Sequence, residues 1–76
     1  MTDRCPRQIE STSGWAWWWR DGELEWELEW VADKFAWVRR MRVPPGGWNA
    51  YPIDLPEPDN ENHAAQIVEE HVVGQT

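Results

Sequence analysis

Cysteine, long apolar runs and, in the second half, basic charge are what this chain has least of. Cys5 is its only cysteine, which excludes an intrachain disulfide and a cysteine-based zinc site. A lone thiol suits a reducing compartment. No apolar stretch approaches the roughly 20 residues of a membrane span. The Met-Thr-Asp-Arg start has no apolar core of a secretory signal. These absences lead to the expectation of a soluble, cytoplasmic protein. The glycines are scattered rather than gathered into a phosphate loop. The only histidines, His63 and His71, lie eight residues apart, so a helix carrying them presents no HxxxH metal pair. Cys5 precedes Pro6 and has no histidine beside it to activate it. No catalytic, cofactor or metal residue is therefore assigned, and a non-enzymatic role is expected.

The shortage of basic residues is local. Residues 44–76 hold six acids and no Lys or Arg, so −6 of the net −7 charge sits there. Residues 1–14 balance, and 15–43 sum to −1. Holding phosphate needs clustered Lys and Arg, and Arg39-Arg40-Met41-Arg42 is the one such cluster. Direct binding of nucleic acid or of an anionic membrane is disfavoured.

What is present in excess is tryptophan, eight in 76 residues. At this length only about 60% of the unfolded surface is buried, so large side chains are a means of filling a small core. They are also favoured anchors at protein interfaces. The organising stretch is Glu23-Leu24-Glu25-Trp26-Glu27-Leu28-Glu29-Trp30, where polar and apolar residues alternate without error. A strand sends successive side chains to opposite faces, so four carboxylates line one face and Leu and Trp the other. Residues 15–20 read as a preceding strand. Asp21-Gly22 is a two-residue hairpin signal, pairing Trp19 with Leu24, Trp17 with Trp26, Trp15 with Leu28 and Arg20 with Glu23.

A second two-residue turn at Asp33-Lys34 leads into residues 35–43. It sets Trp30 opposite Trp37, Trp26 opposite Met41, Leu24 opposite Val43, Glu27 opposite Arg40 and Glu25 opposite Arg42. Arg39 then falls on the apolar side opposite Leu28, to be met by snorkelling, by a tail carboxylate or by a longer turn. A helix over 23–42 is the rival, since Leu24, Leu28, Val31, Phe35 and Val38 recur at helical spacing. It would line its other side with Trp26, Trp30 and Trp37, and so need burial on both sides.

Pro44-Pro45-Gly46-Gly47 interrupts the sheet, and 48–51 leaves room for a short fourth strand. Residues 61–73 form a helix with Ala64, Ala65, Val68, His71 and Val72 on one face, Asp59 or Asn60 as N-cap and Gly74 just beyond the end. The expected fold is α+β: a three-stranded antiparallel meander, extendable to four strands, with one C-terminal helix on its Trp-rich face. Residues 1–14 read as a flexible arm and 15–76 as a single domain.

A 13-residue helix is about 20 Å long and is too small to cover the apolar face, which points to an interface. The leading expectation is a non-enzymatic, acidic protein-binding module. Its general character suits a phage or mobile-element inhibitor of a basic, nucleic-acid-handling host enzyme, acting by surface occupation or by mimicry of nucleic acid. Aromatic contacts are assigned to Trp15, Trp18, Trp37 and Trp48. Acidic contacts are assigned to Glu23, Glu25, Glu27 and Glu29, spaced at about 6.8 Å like a charged backbone, and to Asp54, Glu57, Asp59 and Glu61. A solvated ladder in which Arg40 and Arg42 neutralise the Glu stripe is the bland alternative.

Two other partners are open. A homodimer formed through the apolar patch is one. The other follows from Asp33-Lys34-Phe35-Ala36-Trp37, then Val43-Pro44-Pro45-Gly46-Gly47-Trp48, then Ala64-Ala65-Gln66-Ile67-Val68-Glu69-Glu70-His71. That succession resembles the MbtH-like proteins, small partners of adenylation domains in nonribosomal peptide synthetases. The resemblance implies a three-stranded sheet with a helix, and contact with an adenylation domain through Trp37 and Trp48.

Overall fold

The computed structural model describes residues 5–74. Strands β1 (Arg7–Ile9), β2 (Gly14–Asp21), β3 (Leu24–Val31), β4 (Ala36–Arg42) and β5 (Asn49–Ile53) precede one helix, α1 (Glu61–Gly74). Each strand pairs antiparallel with its neighbour in sequence, in the order β1-β2-β3-β4-β5. The α+β meander is as expected, but it has five strands rather than three or four. The segment 23–42, readable as one helix, is two strands joined by a turn.

The two outer strands are the additions. Arg7, Gln8 and Ile9 pair with Trp18, Trp17 and Ala16, so part of the expected arm is strand. Three residues show no alternation, and the open edge of β2 supplies the partner groups that order them. The start of that arm, residues 1–4, lies outside the described residues. β5 runs two positions past the expected 48–51 and contains Pro52. Proline is tolerated there because β5 is an edge strand, where one side needs no donor.

The β2–β3 turn is displaced from its expected place. Asp21 pairs with Leu24, and Gly22 takes φ +63°, so the loop is Gly22-Glu23 rather than Asp21-Gly22. Glycine supplies the positive φ that a tight hairpin demands. The pairing shifts by two: Trp19 faces Trp26, Trp17 faces Leu28, Trp15 faces Trp30, and Arg20 faces Glu25. A shift of two leaves every side chain on its expected face, where a shift of one would have inverted them all.

The β3–β4 register is the expected one, from Glu25 opposite Arg42 to Trp30 opposite Trp37. Its loop is longer. Ala32–Lys34 form a 3-10 turn and Phe35 sits at φ +49°. Phe35 is thereby lifted off the Trp face and is 74% exposed. Val43, placed by the sequence opposite Leu24, lies beyond the end of β4.

Asn60 caps α1, its Oδ1 accepting the His63 N–H at 2.9 Å. Glu61 accepts from Gln8 of β1 at 2.8 Å, while His71, three turns on, meets Trp19 of β2 and Arg39 of β4. The helix therefore crosses the strands. Between β5 and α1 the chain passes over β4, where Trp37 Nε1 donates to the Pro56 carbonyl at 2.8 Å. The core lies between helix and sheet: Trp17, Trp19, Leu28, Trp30 and Trp37 against Ala64, Ile67, Val68 and Val72. Fully burying an aliphatic side chain such as Leu28 contributes about 1.5–3 kcal/mol. Such contacts, more than propensity, hold a helix this short.

Candidate functional site

The alternation in β3 puts Glu25, Glu27 and Glu29 on the face away from α1, and register brings β4 arginines beside them. Arg40 Nη1 lies 3.2 Å from Glu27 and its Nη2 2.9 Å from Glu29. Arg42 Nη2 is 3.4 Å from Glu25, whose other neighbour is the Trp18 indole N–H at 3.3 Å. Glu29 is buried and also accepts from the Ser11 hydroxyl. Ser11 Oγ in turn takes the backbone N–H groups of Ser13 and Gly14, tying the β1–β2 loop to the ladder. Burial raises the Glu27 carboxyl above its ordinary 4.5, against the pull of Arg40, and the Glu29 charge pushes the same way as burial.

The regular negative line is thus a salt-bridge ladder. Of its four carboxylates only Glu23, in the exposed turn, is outside it. The register also places Arg7 and Arg20 on this face, so its arginines outnumber its glutamates. The charge that Glu25, Glu27 and Glu29 would offer as an acidic contact surface is met by Arg40 and Arg42.

The four indoles assigned to a partner divide. Trp37 is 1% exposed and offers a partner nothing, because α1 and the segment before it close over β4. Trp15 and Trp18 are half-buried, Trp15 against the core and Trp18 on the ladder. Trp48 is 37% exposed, with the Arg42 guanidinium 4.7 Å from its ring centroid.

Arg39, the misfit on the apolar face, is accommodated by aromatic rings rather than by a carboxylate. Its guanidinium lies 4.8 Å from the Tyr51 ring centroid and 5.1 Å from that of Trp26. Nε donates to the Tyr51 hydroxyl at 2.9 Å, and Nη1 stands 3.4 Å from His71 Nε2. Cation–π attraction of this kind strengthens as water is excluded. Burial, and secondarily Arg39, hold the His71 ring below its ordinary 6.5. The sequence signalled Arg39 only as an anomaly of register, and nothing in it pointed to Tyr51 as the partner.

The six acids of residues 44–76 lie in the segment between β5 and α1 and in α1 itself. Asp54, Glu57, Asp59, Glu61, Glu69 and Glu70 are all exposed. Their contacts are weak or neutral: Glu61 takes the Gln8 amide, and Glu70 takes the Gln66 amide at 3.4 Å. Asp59 is 3.6 Å from His63 Nδ1, and the same nitrogen accepts the Asp59 backbone N–H at 2.9 Å. Among the described residues, none of the six pairs with a Lys or Arg. Glu69 and Glu70 belong to the same run of acids without a Lys or Arg that the sequence shows over residues 44–76. Among the described residues, no helix is long and apolar enough to cross a membrane. No family model, curated protein or solved structure matches this chain, so the MbtH-like succession in residues 33–72 has no support from any relative.

Proposed function

We propose that the protein is a non-enzymatic binding module whose helix side docks on a basic surface of a protein partner, of the kind that otherwise holds nucleic acid. One observation carries this reading. Asp54, Glu57, Asp59, Glu61, Glu69 and Glu70 are exposed around α1 without a Lys or Arg partner among the described residues, whereas the sheet carboxylates are neutralised by arginine. Uncompensated charge of one sign steers encounter with a surface of the other and lowers affinity for like-charged partners. Glu61, Glu69 and Glu70 stand on the helix itself, and Asp54, Glu57 and Asp59 on the segment that leads into it. The adenylation-domain alternative keeps Trp48 but loses Trp37 to the core.

The test uses immobilised protein at low salt with a cell extract, followed by displacement with duplex DNA. A captured nucleic-acid-binding protein that DNA displaces supports the proposal. Reversing Glu57, Glu69 and Glu70 to Lys is expected to abolish that capture, while Glu25→Gln leaves it in place. Capture that survives the triple reversal, or that DNA does not compete, rejects the reading.

A further inference from the structure

The corner where the last turns of α1 meet the sheet is rich in donors and poor in acceptors. β4 brings Arg39, β2 brings Trp19 and β3 brings Trp26; the buried Nε1 atoms of both indoles have no acceptor. β5 brings Tyr51, whose hydroxyl accepts from Arg39. α1 brings His71, edge-on to Trp19 with ring centroids 6.2 Å apart. Its Nε2 faces Arg39 Nη1 at 3.4 Å. Against a permanently charged donor, that nitrogen serves as an acceptor only while it carries no proton.

We propose that His71 and Arg39 form a proton-operated latch: in mildly acid solution the protonated His71 ring leaves this corner and the C-terminal half of α1 lifts from Trp19 and Trp26. A proton on Nε2 converts the acceptor facing Arg39 Nη1 into a donor and places two cations side by side. The C-terminal end of a helix favours a cation, but here burial and Arg39 outweigh it. Burial and the facing Arg39 guanidinium hold the ring below 6.5. The sign follows. A histidine with a depressed folded pKa gives stability that is whole above the unfolded value and is lost as pH falls through the folded one.

The chain has only two histidines, which makes the test clean. Amide exchange in α1 and tryptophan fluorescence are followed from about pH 7.5 to about pH 5.5, a window in which few other side chains titrate. Protection in the last turns of α1 is expected to fall below pH 6.5, by at most about tenfold per pH unit for one proton. His71→Gln should flatten that slope and His63→Gln should retain it. Should His71→Gln fail to fold, histidine NMR of the unaltered protein carries the test: His71 must titrate below 6.5, and Arg39→Met must raise its midpoint. A His71 midpoint at or above that value, or an unchanged slope in His71→Gln, overturns the latch.

Discussion

At Gly14 the first ribbon is closed by a backbone that leaves no room for a side chain. A Cβ there would stand 2.1 Å from the Trp30 carbonyl oxygen, backbone that cannot swing aside. Gly14→Ala is expected to destabilise by about 1–3 kcal/mol or more, the cost of forcing atoms into a packed site. Gly47, whose Cβ would meet nothing within 4 Å, is the control, with Gly47→Ala changing stability by less than about 0.5 kcal/mol. Asn60→Ala removes the cap on His63 N–H and should cost about 1 kcal/mol. Urea denaturation of the three variants measures all of this. Asn60 was legible from its place before the helix. Gly14 was not, because its constraint comes from Trp30, sixteen residues away in sequence and adjacent only across the ribbon.

Arg40 governs the outer face of β3 and β4. It binds Glu27 and Glu29 together, and its side chain and theirs are largely shielded from water. Exposed ion pairs contribute little, but leaving a shielded carboxylate without its donor costs about 1–3 kcal/mol or more. Arg40→Ala should therefore destabilise by that amount, most severely near neutral pH. Because the Glu27 pKa is raised on folding, its contribution to stability is whole below 4.5 and is lost as pH rises through the folded value. Removing Arg40 takes away what opposes that rise. The deficit of Arg40→Ala is expected to shrink as pH is lowered from 7 towards about 5, and denaturation at several pH values reads it directly. The opposition of Arg40 to Glu27 and of Arg42 to Glu25 was legible in the sequence. The sharing of Arg40 with Glu29, and the Ser11 clamp, needed the twist and depth of the folded sheet.

Among the described residues, charge is sorted: paired with arginine on the outer face of β3 and β4, and without a Lys or Arg partner in α1 and the segment before it. Like charges crowded without partners oppose the compact state, and salt screens them within about 10 Å at 0.1 M. Raising NaCl from about 10 mM to about 100 mM should therefore raise the thermal midpoint, and Glu69→Gln with Glu70→Gln should reduce that gain. Both residues are exposed, so the substitutions leave the core intact and separate surface repulsion from packing. Calorimetry at two salt concentrations decides it.

Which side the residues of β2, β3 and β4 face, the β3–β4 register, the position of α1 and where the acids gather all follow from the sequence alone. Those features are local: an alternation of period two, a cap and a run without basic residues are visible without knowing the neighbours. Long-range packing is what brings residues 7–9 into the sheet, takes Phe35 off the apolar face and seals Trp37 beneath the segment leading to α1. It also holds Arg39 against Trp26, Tyr51 and His71. Each depends on groups far apart in the chain, whose meeting is set by how helix and connecting segment lie across five strands rather than by any pattern within one.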